Sequence, residues 1–104
     1  MEYKMITESG NSEAIRIREG INIAGRSDDV DFQLHHPGGS RVHAALFKRN
    51  EGCYITDLRS VNGTYVNGQL LPPERTILLQ DGDRVTFGDE SFLFRGEIEG
   101  DRMG

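Results

Sequence analysis

The 104-residue sequence has one cysteine, three prolines and no run of basic residues. Because Cys53 has no partner, an internal disulfide is excluded, and the composition gives no sign of an oxidising compartment. No apolar stretch is long enough for a signal peptide or a membrane span, so we expect a cytoplasmic protein without a membrane partner. The net charge of -5 argues against a duplex nucleic-acid binder, which needs clustered Lys and Arg.

The sequence also does not favour long helices. Thirteen glycines and three prolines interrupt the chain so often that the longest segment free of both is residues 40–51. The pieces between them alternate apolar and polar residues with a period of two, which is typical of short, half-buried strands. Such segments lie at residues 15–18, 21–23, 32–34, 84–87 and 91–94.

The arrangement of these strands predicts one all-β domain. Residues 43–47 are apolar on both alternating faces, which indicates an interior strand, and residues 53–56 are expected to pair with it. Residues 2–7 resemble a further strand. Many short strands separated by turn signals favour an antiparallel β-sandwich. We expect the domain to span residues 1–95, with the polar, Gly-broken residues 96–104 as a tail or linker.

Two Asn-Gly pairs lie within nine residues, in the stretch "SVNGTYVNG". Asn67-Gly68 favours a type I′ turn that joins residues 64–66 to 69–71 as a hairpin. Asn62-Gly63 is too close to form a second hairpin, so we interpret it as shaping a loop in which the Asn amide holds backbone groups. Rigid loops at a sandwich edge are common binding sites, although composition alone favours the alternative that both pairs are ordinary turns.

The sequence gives little support for a catalytic or a metal-binding site. Ser40 and His43 would face opposite sides of an extended segment, and no Gly-x-Ser-x-Gly elbow accompanies them. We expect His43 to be a partly buried imidazole that satisfies backbone groups. Neither the adjacent His35 and His36 nor the acidic residues near 28–31 have the spacing of a zinc or calcium site. We therefore expect no enzyme activity, no metal and no cofactor.

Three loops carry groups that suit a phosphate. They contain Gly25-Arg26-Ser27, Gly38-Gly39-Ser40-Arg41 and Ser60-Val61-Asn62-Gly63. Glycine lets backbone N–H groups approach an anion, and Arg forks and hydroxyls donate to its oxygens. The alternative is that Arg26 and Arg41 pair with the acidic residues at 28, 29 and 31, and the residues alone leave both open.

Taken in order, "GRS" at 25, "SRVHA" at 40, "DLRSVNGTYVNG" at 57 and "LQDGDRVTFG" at 79 resemble a forkhead-associated (FHA) domain over roughly residues 20 to 95. The resemblance implies an eleven-stranded β-sandwich whose loops at one end bind phosphothreonine in peptides without catalysing a reaction. It implies a monomeric module in Ser/Thr kinase signalling. The phosphothreonine would lie on another protein or on the same polypeptide.

The resemblance also assigns roles by position. Arg26 would bond the phosphate or buttress its loop, Ser40 and Arg41 would donate to it, and Asn62 would hold the peptide main chain. The loop around Asn62 would add Ser60 and Val61 to the peptide-binding set. Structural support of the site would come from Gly25, His43, Gly63, Thr64, Asn67 and Gly68.

Two positions depart from the family pattern. Val61 stands where such domains often carry Ser or Thr, so a side-chain hydrogen bond is missing there, but Val61 could face the threonine methyl group. Gly38-Gly39 leaves no side chain in the loop that usually helps to read the residue three after the phosphothreonine. These departures keep open an alternative, a phospho-independent scaffolding or interaction domain on the same fold.

Overall fold

The computed structural model of the protein describes residues 1–8, 13–50 and 52–97. This part of the chain folds into eleven strands and has no helix, and so it contains no apolar helix of the length that a membrane crossing requires. The strands are β1 (Glu2–Thr7), β2 (Ala14–Ile17), β3 (Gly20–Gly25), β4 (Phe32–Gln33), β5 (Ala44–Arg49), β6 (Gly52–Asp57), β7 (Thr64–Val66), β8 (Gln69–Leu70), β9 (Thr76–Leu78), β10 (Arg84–Phe87) and β11 (Glu90–Glu97).

The strands form two sheets, as the sequence predicts for a sandwich. The six-stranded sheet has the order β2-β1-β11-β10-β7-β8, and the five-stranded sheet has the order β4-β3-β5-β6-β9. Among the described residues, every pairing is antiparallel except that of β3 with β4. The parallel pair arises because the loop after Gly25 carries the chain back, so that Phe32 lies beside Ala24.

The core lies between the sheets and is built by the period-two alternation. In β10, Val85 and Phe87 are buried, and in β11, Phe92 is buried against them. Phe32, Phe87 and Phe92 pack edge to face, with centroid separations of 5.1–5.8 Å. Transfer of a side chain of this size from water to the core contributes about 2–3 kcal/mol to the free energy of unfolding. The core therefore fixes β4, which two of the loops discussed below adjoin, together with β10 and β11.

The predicted strands are confirmed, with bounds shifted by a few residues. β5 is the central strand of its sheet, and Ala44, Ala45 and Leu46 are all buried, as expected for an interior strand. β6 pairs with it as predicted. The sequence did not predict β9. β11 continues to Glu97, two residues beyond the expected domain boundary, and pairs Glu97 with Glu2, while residues 98–104 lie outside the described residues.

The hairpin at Asn67-Gly68 is also confirmed. Asn67 has φ 53° and Gly68 has φ 82°, as both central residues of a type I′ turn require. Val66 is paired with Gln69 directly across the turn. The side chain of Asn67 accepts a hydrogen bond from the Arg84 amide at 2.9 Å and donates to Asp83 at 2.9 Å, which fixes the hairpin against β10.

Candidate functional site

Three loops meet at one end of the sandwich: 26–31 after β3, 34–43 before β5 and 58–63 between β6 and β7. The first two are joined by backbone hydrogen bonds. The Arg26 amide donates to the Ser40 carbonyl at 2.8 Å, and the Ser27 amide donates to the Arg41 carbonyl at 3.1 Å. The segments that carry Arg26, Ser40 and Arg41 therefore lie side by side.

Gly25 makes this close approach sterically feasible. A Cβ at position 25 would lie 2.0 Å from the Arg41 carbonyl oxygen, which is backbone and cannot rotate away. A larger residue would therefore separate the two loops that Gly25 allows to touch. This agrees with the supporting role that the resemblance implies for Gly25.

Ser40 connects the second loop to the third. Its hydroxyl oxygen accepts a hydrogen bond from the Val61 amide at 2.9 Å. The Asn62 side chain adds a second link by donating from Nδ2 to the Gly38 carbonyl at 2.8 Å. Because the Val61 contact uses Ser40 Oγ as an acceptor, the hydroxyl proton remains available to donate to a ligand.

His43 lies beneath these loops and contacts the backbone of two of them. It is completely buried, its Nδ1 accepts the Ser40 amide at 3.0 Å, and its Nε2 lies 2.9 Å from the Gly63 carbonyl. The Nδ1 acceptor role puts the proton on Nε2, which donates to Gly63. The ring packs edge-on against Phe87 at 5.7 Å, which ties the loops to the core. Both ring nitrogens are occupied by backbone groups, so His43 is not placed to activate the Ser40 hydroxyl.

The buried position of His43 makes it sensitive to acid. Burial lowers the pKa of His43 from its ordinary 6.5, although the hydrogen bond to Gly63 and the Asp57 carboxylate oppose this. Below about pH 6.5 the unfolded chain binds a proton at His43 that the folded chain does not. Stability from this group is therefore present above pH 6.5 and is lost as the pH falls.

We predict that the free energy of unfolding falls between pH 7 and pH 5 and that His43→Gln flattens this dependence. Urea unfolding at pH 7, 6 and 5 measures it. His35→Gln, which changes an exposed histidine outside these contacts, is the matched control and should keep the wild-type profile. Equal pH dependence in His43→Gln and the wild type would contradict this role for the imidazole.

Asp57 organises the third loop, and the sequence analysis did not identify it. Its side chain is 2% exposed. It accepts three hydrogen bonds: from the Ser60 hydroxyl at 2.6 Å, the Ser60 amide at 3.1 Å and the Thr64 hydroxyl at 2.6 Å. Burial alone would raise the pKa of Asp57, but these hydrogen bonds and His43 lower it below its ordinary value. A carboxylate followed by hydroxyls three and seven residues later is the sequence signal that could have revealed it.

Ser60 is used within the loop. Its hydroxyl donates to Asp57 and accepts from the Gly63 amide at 2.9 Å. The Gly63 carbonyl in turn accepts from His43 and from the Gly88 amide at 2.8 Å. With φ 90°, Gly63 has a conformation that residues with a side chain rarely adopt. These contacts fix the backbone around Val61 and Asn62.

The guanidinium groups of Arg26 and Arg41 are exposed at this end. Within the described residues, neither forms an ion pair with an acidic side chain, so the alternative pairing with the acids at 28, 29 and 31 is wrong. Asp31 instead accepts from the Ile23 amide at 2.8 Å, and Asp29 accepts from Ser27. Arg26 makes a long contact of 3.4 Å with the Pro37 carbonyl.

The structure explains why two glycines, Gly38 and Gly39, precede Ser40. A Cβ at Gly39 would lie 3.1 Å from Cγ of Arg26, so the glycine leaves room for the Arg26 stem. A Cβ at Gly38 would lie 2.5 Å from the Asp89 carboxylate. The space that a loop side chain would fill is thus already occupied by Arg26 and Asp89.

Some of the remaining predicted site residues lie at the three loops and others do not. The Val61 side chain is 86% exposed and points away from the core next to Asn62, whose Oδ1 has no hydrogen-bond partner in the described part of the chain. Thr64 is buried beneath Asp57. Asn67 and Gly68 form the turn after β7, and the Asn67 side chain bonds to Asp83 and Arg84 at the start of β10 rather than to the three loops.

The described residues contain no group of three or more His, Cys, Asp or Glu side chains placed to hold a metal ion. The cluster instead presents hydrogen-bond donors: two guanidinium groups, one hydroxyl proton and an amide side chain on rigid loops. Such a set can bind a small anion with several acceptor oxygens and can orient the chain that carries it.

Comparisons with known proteins agree with this geometry. A family model described as the FHA domain matches residues 22–88. The chain is 34% identical over 88 residues to the FHA domain-containing protein FhaA of Mycobacterium tuberculosis, a match that covers 85% of this chain and 16% of FhaA. It spans still smaller shares, 5% and 8%, of two further curated relatives.

Two solved structures extend the similarity to three dimensions. One, from a structural and functional analysis of phosphothreonine-dependent FHA domain interactions, has a TM-score of 0.87 at 30% identity and covers 94% of this chain and 99% of that chain. The other is the MEK1 FHA domain in complex with a HOP1 phosphothreonine peptide, with a TM-score of 0.76 at 27% identity. That match covers 89% of this chain and 94% of the other.

Proposed function

This chain belongs to the forkhead-associated (FHA) domain family, and from that premise we propose that it binds phosphothreonine in proteins or peptides through the loops at 25–27, 38–41 and 60–63. It acts as a protein interaction module in Ser/Thr kinase signalling and not as an enzyme. The observation that carries the proposal is the contact from the Val61 amide to Ser40 Oγ, because it aligns the hydroxyl and leaves its proton free. The adjoining loop segments carry Arg26 and Arg41, and neither forms an ion pair within the described residues.

The chemistry of a phosphate monoester suits these donors. The group carries about -1.5 to -2 charge at pH 7 and three strong acceptor oxygens. Arg26 and Arg41 supply the positive charge, and the Ser40 hydroxyl supplies a directed donor. Because backbone hydrogen bonds already join these segments, little conformational freedom is lost when the anion binds.

The loop at 60–63 would read the peptide that carries the phosphate. Asn62 holds the peptide main chain with its free Oδ1 and its remaining N–H. Val61, which has little contact with the core, presents an apolar surface to the threonine methyl group. Ser60 braces this loop, since its hydroxyl proton is already donated to Asp57. Other residues do not contact the peptide but keep the loops in position: His43, Gly25, Gly63 and Thr64.

Binding of three matched peptides tests the proposal. A peptide with phosphothreonine should bind, the same peptide with phosphoserine should bind about tenfold or more weakly, and the unphosphorylated peptide should not bind measurably. The phosphoserine peptide loses affinity because it lacks the methyl group that contacts Val61. The unphosphorylated peptide loses affinity because it lacks the anion. Fluorescence anisotropy at one fixed salt concentration measures all three. Equal affinity for the phosphorylated and unphosphorylated peptides would refute the proposal and favour phospho-independent scaffolding.

A further inference from the structure

A cavity lies on the outer face of the five-stranded sheet. It has a volume of about 710 Å³ and opens between β5, β6 and β9. We call it the β9 groove and define it by the side chains of Phe47, Arg49, Asn50, Tyr54, Thr76 and Leu78. None of these residues takes part in the proposed phosphothreonine site.

The β9 groove is well separated from the phosphothreonine loops. β5 begins at Ala44, directly after His43, and ends at Arg49. Because a strand advances about 3.4 Å per residue, Arg49 lies roughly 20 Å from His43 along the sheet. A ligand in the groove would therefore leave the phosphothreonine loops accessible.

One wall of the groove is apolar. The strand register aligns Ile21 with Phe47, Phe47 with Tyr54, and Tyr54 with Leu78, so the four side chains form a row across one face. The last three of them line the groove, and Ile21 continues the row beyond it. Ile21 is 62% exposed and Leu78 is 47% exposed. Single exposed apolar residues are common on protein surfaces, whereas a continuous row marks an interaction surface.

The other part of the groove is polar and positively charged. The Arg49 guanidinium, the Asn50 side-chain amide and the Tyr54 hydroxyl have no hydrogen-bond or ion-pair partner in the described ranges of the chain. Among the described lining residues, Arg49 is the one that carries a charge, although the whole chain has a net charge of -5. These donors beside an apolar wall are complementary to a carboxylate that accompanies a large apolar side chain.

The groove also borders a sheet edge. β9 is the last strand of its sheet, and the Leu79 amide donates to the Cys53 carbonyl at 2.8 Å. Antiparallel pairs alternate between bonded and non-bonded positions, so the backbone groups of Thr76 and Leu78 point towards the free edge. An extended chain can pair with such an edge and place alternate side chains on the groove face.

We propose that the β9 groove binds an extended peptide segment that carries a glutamate or aspartate two positions from a large apolar residue, so that both side chains lie on the groove face. The apolar side chain packs against Leu78 and the neighbouring Tyr54, and the long Arg49 side chain reaches over Gly52 to pair with the carboxylate. The backbone of the segment adds to β9 as a further strand. The protein would thus hold a partner at two places, of which only one depends on phosphorylation.

The test uses an unphosphorylated capped hexapeptide, acetyl-Gly-Glu-Leu-Phe-Glu-Gly-amide, titrated into the ¹⁵N-labelled full chain. Amide shifts are expected at residues 47–50, 52–54 and 76–78 and not at the phosphothreonine loops. Arg49→Glu should weaken binding about tenfold or more, because it replaces the attraction by repulsion. Arg59→Glu reverses another exposed arginine, in the loop between β6 and β7, and should bind as the wild type does.

The two sites can be tested separately. Arg49→Glu should keep its affinity for a phosphothreonine peptide, and Arg26→Ala should keep its affinity for the hexapeptide. The proposal is wrong if the hexapeptide moves no groove amide, if Arg49→Glu binds it as tightly as the wild type, or if a peptide with Lys in place of Glu binds equally well. It is also wrong if the groove amides shift with protein concentration alone, because a second copy of the chain would then cover the groove.

Discussion

Replacing Asp57 with Ala should lower the free energy of unfolding by about 3 kcal/mol and abolish phosphothreonine binding with it. The carboxylate is buried and accepts three hydrogen bonds from Ser60 and Thr64. Each buried donor left without a partner costs about 1–3 kcal/mol. Because the same contacts fix the loop that carries Val61 and Asn62, its geometry is lost together with stability. Urea unfolding and peptide binding on the same sample measure both effects.

A matched control separates this network from a general effect of removing a carboxylate. Asp28 is exposed on the loop after β3, so Asp28→Ala should change stability by less than about 0.5 kcal/mol. Asp57→Asn should fall between Asp57→Ala and the wild type, because the amide keeps one acceptor oxygen. If Asp57→Ala lost less than about 1 kcal/mol, the loop would have another support.

Arg26→Ala should weaken binding of a phosphothreonine peptide by about ten- to a hundredfold while the protein stays folded. Removing one charge-assisted hydrogen bond costs about 1.5–3 kcal/mol, and each 1.4 kcal/mol is a factor of ten. The Arg26 side chain is exposed, and its one described contact is at 3.4 Å, so stability should hardly change. Ser40→Ala should weaken binding by a similar factor through loss of the hydroxyl. Calorimetric titration at one fixed ionic strength gives both affinities.

Arg59→Ala is the matched control for charge. Arg59 is also exposed at this end, but its guanidinium pairs with Glu74, so it is not free for a ligand. Its removal should change the peptide affinity by no more than about twofold. Wild-type affinity in Arg26→Ala would mean that the phosphate binds elsewhere.

Local signals predicted much of the fold. The Asn67-Gly68 hairpin depends on two adjacent residues that tolerate positive φ, and the structure has both. The strands with clear alternation were found because each buries every second residue. β9 was missed because it has three residues, of which only Ile77 points towards the core, and so short a segment shows no alternation.

Contacts between distant residues could not be predicted in the same way. Gly25 is required by the Arg41 carbonyl, sixteen positions later, and the sequence shows only that a glycine precedes Arg26. The role of Asp57 depends on a loop that turns Ser60 and Thr64 back towards it. The β9 groove likewise arises from a register that aligns four strands, which composition does not reveal.

The central claim is that donors from separate loops bind one phosphate at the end of the sandwich. The most direct test is to add a phosphothreonine peptide to the ¹⁵N-labelled protein and to record which backbone amides shift. We predict the largest shifts at residues 25–27, 40–41 and 60–63, with no change in the β9 groove. Binding that shifts other amides and leaves these three loops unchanged would contradict the claim.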